Sequence, residues 1–214
     1  MSATNRYAAM SRRAAITAAA LAAMATLAGC GSKGGPAEGD MALGAADGAK
    51  VTVVEYASVT CPHCAAWQEE TWPAFKTKYV DTNKVRYVFR ELPTPPAPTA
   101  VAGFLLARCA GDEAKYFQVI HELMADQREF VTNPRATLFR VGNAVGLNQQ
   151  QVQQCITDEA ALKAADKRSK QAVDAGVSTT PAFFVNGTQV ITPGGEGASI
   201  DDLSKVIDAE LAKG

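Results

Sequence analysis

The chain has 214 residues, 47% of them hydrophobic and 20% charged, with 21 basic and 22 acidic side chains and a formal net charge of −1. This balance excludes a basic nucleic-acid binder and a highly charged disordered chain, and the length suffices for one domain with a substantial core. The five cysteines stand at positions 30, 61, 64, 109 and 155.

Residues 1–29 carry Arg6, Arg12 and Arg13 and no acid, and a charge-free stretch runs from Ala14 to Ser32. A basic start, an apolar middle and small residues at the end describe a signal peptide. Its ending, Leu27-Ala28-Gly29-Cys30, resembles the lipobox of bacterial lipoproteins. That resemblance implies cleavage before Cys30, lipidation of Cys30, and a periplasmic chain held to a membrane. The alternative is an uncleaved anchor helix, long enough by count but dominated by Ala and only weakly apolar. Without residues 1–29 the chain keeps 18 basic and 22 acidic residues, a charge of −4. Residues 30–49 read as a flexible tether, Gly-rich and poor in large apolar side chains. A tether of that length spans about 25 Å root-mean-square. The folded domain is then expected over 50–214.

Val51–Ser58 reads as a strand and Ala65–Val80 as a helix; between them stands Cys61-Pro62-His63-Cys64. A CxxC at a strand-to-helix junction puts its first sulfur at a helix N-terminus, where free N–H groups and the macrodipole stabilise a thiolate. The thiolate is the attacking species in thiol–disulfide exchange. Pro62 suits the first helical turn because it lacks an N–H and its φ is preset. His63 can place a positive charge or a hydrogen bond beside the thiolate. Both depress the expected pKa of Cys61, which favours the dithiol and makes the pair an oxidant. A zinc site would need two further ligands at suitable spacing. Cys109, His121 and Cys155 form no second compact pair, so no metal is expected.

Further along, Val85–Arg90 alternates like a strand, and Leu92–Pro98 is a proline-rich loop. Helices are expected at Thr99–Cys109, at Glu113–Ala125 with an apolar face, and at Ala136–Val145. Two more follow, Gln149–Thr157 capped by Asn148 and a long one capped by Asp158 that runs to Ala175. Ala182–Val185 and Thr188–Ile191 read as a hairpin turning at Asn186-Gly187, and Ser199 caps a last helix to Leu211.

The order strand, CxxC helix, strand, helical block, hairpin, helix resembles the DsbA-like family. That family implies an α/β thioredoxin fold with an inserted helical domain, here at about 99–175. The motifs that match are the Cys-Pro-His-Cys, Thr180-Pro181 before a strand, Glu55 six residues before Cys61, and Pro73 within the active-site helix. The resemblance implies that Cys61 is the nucleophile and Cys64 its buried partner. It further implies that Glu55 relays a proton to Cys64, and that Thr180 with a cis Pro181 holds substrate backbone. Thr180 departs from the DsbA pattern, where Val is usual, and is shared with isomerase-like and reductase-like relatives. Reduced exported polypeptides are the implied substrates, and a DsbB-like or DsbD-like membrane protein the implied redox partner, with no tightly bound cofactor. A reductase or isomerase, and a non-catalytic chaperone-like lipoprotein, stay open beside the oxidase. With Cys30 lipidated and Cys61 paired with Cys64, Cys109 and Cys155 remain. Some DsbA-like proteins carry a second bridge, so these two are expected to form a structural disulfide, with two separate buried thiols as the alternative.

Overall fold

The computed structural model describes residues 35, 37–191 and 197–213, all within the unit Gly31–Gly214. The signal segment, the Cys30 lipidation site and, of the expected tether, residues 30–34 and 36 lie outside these residues.

β2 (Thr52–Ala57) and β3 (Arg86–Glu91) are Val- and aromatic-rich runs that pair in parallel, with Glu55 opposite Phe89. β4 (Ala182–Val185) pairs antiparallel with β2, placing Phe183 opposite Glu55, and β5 (Thr188–Val190) closes the hairpin. Asn186 supplies the positive φ that the two-residue turn demands, at +47°, followed by Gly187 at +83°. With Met41–Gly44 as β1, the sheet order is β1-β3-β2-β4-β5.

The outermost strand corrects the expected extent of the tether. Met41–Gly44 forms β1, antiparallel to β3, with Ala42 buried. Backbone pairing with an otherwise open edge requires little apolar side-chain area, so composition alone hid it. Gly44 is obligatory there: its φ is +84°, and a Cβ would come within 2.5 Å of the Val85 carbonyl. Just before the strand, Asp40 accepts two hydrogen bonds from Arg90, at 2.8 and 2.7 Å, and this pair fixes the chain's entry into the sheet.

Alternation along the strands sends Val53, Ala57, Tyr87, Phe89, Phe183 and Val185 to one core and Val54, Tyr56, Val88, Ala182 and Phe184 to the other. The first core is covered by α1 (Pro62–Glu70), α2 (Trp72–Phe75), a π-helical turn (Lys76–Val80) and α9 (Ile200–Ala212). The helix expected at Ala65–Val80 thus begins three residues earlier and is broken. Pro73 cannot donate to the preceding turn, and α1 gives way to α2 at Thr71.

The helical block comprises α3 (Ala97–Cys109), α4 (Glu113–Ala125), α5 (Gln127–Thr132), α6 (Pro134–Ala144), α7 (Gln149–Thr157) and α8 (Glu159–Asp174). Asp112, Asn148 and Asp158 each accept a backbone N–H at an N-cap. α5 was not expected: it is short, and its only buried side chain is Phe130. Buried Glu91 fastens the block to β3. Its carboxylate accepts from Arg108 Nε at 2.6 Å, Arg168 Nε at 2.9 Å and Tyr116 Oη at 3.0 Å. Cys109 at the end of α3 is disulfide-bonded to Cys155 of α7, with Cα atoms 5.9 Å apart.

His121 of α4 is mostly buried beside Trp72 and Phe117, and its Nε2 has no hydrogen-bond partner among the described residues. Burial first, and then the charge of Lys76, push its pKa from 6.5 down to about 4. Between pH 6.5 and 4 the unfolded chain therefore binds the extra proton, and His121 contributes stability that is lost as pH falls through that window. Glu55, raised from 4.5 to about 8, acts with the opposite sign between those values. The His121 part is isolated by comparing wild type with His121→Phe in denaturant titrations. From pH 7 to pH 4 the wild type should lose about 3 kcal/mol relative to the variant. Parallel pH profiles for the two proteins would remove this account.

Candidate active site

β2 ends at Ala57, and Ser58-Val59-Thr60 carry the chain from the end of this interior strand to Cys61, the N-cap of α1. Cys61 has an extended backbone (φ −87°, ψ 119°) and Pro62 opens the helix, as a residue without an N–H should. Cys61 is buried except for 6% of its surface, Cys64 is fully buried, and Pro62 and His63 are exposed. Both thiols of the pair are free.

The two sulfurs have opposite electrostatic surroundings. The pKa of Cys61 is lowered from 9.0 to about 5. The largest cause is a hydrogen bond with the Cys64 side chain. Burial opposes it, while the Thr180 side chain and the backbone N–H groups of Cys64 and His63 lower it further. His63 thus enters through its main chain, while its imidazole is exposed. Cys64 is pushed well above 9.0, by burial first, then by Cys61 and Glu55, against a hydrogen bond from the Ser58 N–H at 3.5 Å.

Glu55 lies fully buried beneath the pair. Burial raises its pKa to about 8, opposed by the hydrogen bond that Tyr87 donates to its carboxylate and reinforced by Cys61. At neutral pH its carboxyl group is largely protonated and can exchange a proton within the buried site. The electrostatic coupling reaches Cys64.

The opposite wall is the loop before β4. The Thr180–Pro181 peptide is cis, and the Thr180 carbonyl accepts from Cys61 Sγ at 3.3 Å. Behind it, Trp67 packs against Phe183 with centroids 4.6 Å apart and the rings tilted by 41°, and donates from Nε1 to the Ala198 carbonyl at 2.7 Å. Gly197 fits here because a Cβ would come within 2.9 Å of Pro181. Cys61, Pro62, His63, Cys64, Glu55, Thr180 and Pro181 are therefore brought together, while Cys109 and Cys155 lie apart in the helical block.

Other residues at the site escaped the sequence reading. Gln127, the first residue of α5, donates from Nε2 to the carbonyls of Val59 and Cys61, both at 3.0 Å. Ser58, Thr60 and Thr94 form a buried hydroxyl cluster beneath the loop. The only sequence signal for Ser58 and Thr60 was their nearness to Cys61; Gln127 and Thr94 carried none. Among the described residues no cluster of three or more His, Cys, Asp or Glu could hold a metal.

Comparison with known proteins agrees with this geometry. Residues 36–209 match the family model described as Thioredoxin. A protein of Rickettsia typhi named as a protein-disulfide oxidoreductase is 35% identical over 80% of this chain and 62% of its own length. The chain thus spans about 62% of that relative, and likewise of a second one from Rickettsia prowazekii. The crystal structure of Wolbachia pipientis α-DsbA1 matches with a TM-score of 0.74 and 25% identity over 83% of this chain and 94% of that one. BdbD of Bacillus subtilis shares the fold, with a TM-score of 0.70 at 19% identity over 83% and 96%. An acidic N-cap cysteine, a buried partner, a buried acid and a cis-proline gathered around the end of the central strand β2 accord with that match, and the chain belongs to the thioredoxin family, with the DsbA form of its fold.

Proposed function

We propose that the protein is a thiol:disulfide oxidoreductase of the cell envelope that introduces disulfides into exported polypeptides through Cys61 and Cys64. The observation that carries this reading is the split between the sulfurs, the N-cap Cys61 with its pKa lowered to about 5 and the buried Cys64 with its own pushed well above 9.0. A strongly stabilised Cys61 thiolate favours the reduced pair, so the disulfide readily passes to a substrate. The substrate thiolate attacks Cys61 Sγ of the Cys61–Cys64 disulfide, and Cys64 leaves with the electron pair. A second substrate thiolate then attacks the substrate sulfur of the mixed disulfide, and Cys61 leaves as its thiolate. The substrate gains a disulfide and the pair gains two electrons. Glu55 gives Cys64 its proton and takes it back on reoxidation. Thr180 and Pro181 lie where an extended substrate segment can run beside the sulfurs.

The names carried by the Rickettsia relatives support the reaction class. The remaining elements are export by residues 1–29, read from the sequence; a lipid on Cys30, implied by the lipobox resemblance; and a DsbB-like or DsbD-like membrane partner that resets the pair, implied by the family resemblance. Thr180 beside Cys61 favours one second reading, a reductase or isomerase kept reduced by its partner. Equilibration of the purified domain with glutathione decides between them. The oxidase should show a potential closer to about −120 mV than to about −270 mV, the values of a strong oxidant and of thioredoxin. A value near the lower figure would transfer the assignment to the reductase.

A further inference from the structure

Ser58 is wholly buried, three residues before Cys61. Its hydroxyl oxygen accepts two backbone N–H groups, from Thr60 at 3.3 Å and Thr94 at 3.1 Å. Both lone pairs are then used, so its own O–H donates to Thr60 Oγ1 at 3.1 Å. Thr60 in turn donates to the Thr94 carbonyl at 2.9 Å, and Thr94 Oγ1 closes the ring at 3.0 Å from Thr60 Oγ1. Each of the three hydroxyl protons has an acceptor, so the loop between β2 and α1 is tied to the loop after β3. The consequence falls on the Ser58 backbone N–H, which points at Cys64 Sγ from 3.5 Å.

We propose that Ser58 is a positioning residue for disulfide exchange: its hydroxyl network holds its own peptide N–H where charge appears on Cys64 as the leaving group. This rests on the reading of Cys61–Cys64 as the reacting disulfide. When an incoming thiolate forms a bond to Cys61 Sγ, the Cys61–Cys64 bond breaks and its electron pair goes to Cys64. Burial, Cys61 and Glu55 all disfavour a charge there, and buried Tyr87 lies close enough to feel it. The Ser58 N–H acts in the other direction. A donor fixed in advance needs no reorganisation as the charge develops.

Ser58→Ala removes the acceptor for two N–H groups and frees the peptide. The test is the second-order rate at which glutathione reduces the oxidised protein, set beside the Cys61 thiolate midpoint of the reduced protein. Ser58→Ala should slow reduction about tenfold, the size expected for one hydrogen bond to a charged group, with the Cys61 midpoint unchanged. A general loosening of the site would move both. If Ser58→Ala does not fold, Thr60→Val takes its place, and a two- to threefold slowing is expected. An unchanged rate, or a midpoint that moves with it, overturns the proposal. A wild-type disulfide that glutathione does not reduce overturns instead the reading of the pair as redox-active.

Discussion

Replacing Cys61 with Ser should abolish thiol–disulfide exchange and remove the thiolate absorbance near 240 nm that the reduced wild-type protein keeps below pH 7. With a pKa of about 5, Cys61 is almost wholly ionised at pH 7, whereas a free cysteine near 8.5 is only a few per cent thiolate. The gain serves Cys61 most when it departs, since a thiol of low pKa leaves faster from a mixed disulfide. The causes of the shift predict an order among variants. Cys64→Ala removes the largest and should raise the Cys61 midpoint most; Thr180→Val should raise it less. His63→Ala should act least, because the contribution of His63 comes through a backbone N–H that the substitution keeps. A wild-type midpoint near 8.5 would remove the physical basis of the oxidase. An order led by His63 would return the imidazole to the role its sequence position suggested.

The elements that sequence reading located have strong local signals. Glu113–Ala125 and Gln149–Thr157 have capping side chains and clear apolar faces, and their bounds agree with the structure. Ala182–Val185 is wholly buried and precedes an Asn-Gly turn. The CxxC announced its own chemistry, and Thr180-Pro181 was recognisable because a family pattern gives it meaning. What stayed illegible depends on partners distant in sequence. Met41–Gly44 is a strand only because the edge of β3 is there to pair with. Gln127 reaches the active-site loop across 66 residues, and Thr94 reaches Ser58 across 36. Glu91 fell between the expected strand and the proline-rich loop and carried no signal, yet it is the acceptor shared by two arginines and a tyrosine. Such pairings arise from packing and leave no periodic trace along the chain.

Removing the Cys109–Cys155 bridge should destabilise the domain without disarming it. The bond closes a loop across 46 residues of sequence and ties the end of α3 to α7, with Cys155 buried. In the chain-entropy model a loop of that length contributes about 4 kcal/mol by restricting the unfolded chain. For a domain of this size the corresponding fall in Tm is about 10 °C. Cys109→Ala with Cys155→Ala should therefore unfold at a markedly lower denaturant midpoint. Its Cys61 thiolate should still titrate near pH 5, because none of the groups that hold it belongs to α3 or α7. The two disulfides should also separate by reactivity. Breaking Cys61–Cys64 releases a thiol whose pKa is lowered to about 5, whereas Cys109 is the last residue of α3, where the helix dipole disfavours a thiolate. Mild reductant should open the first and spare the second, and peptide mapping should then find Cys109 and Cys155 still linked. Equal stability of the double variant would sink the structural role. A coupled loss of the Cys61 thiolate would show that the helical block, beyond supporting the active site, also tunes it.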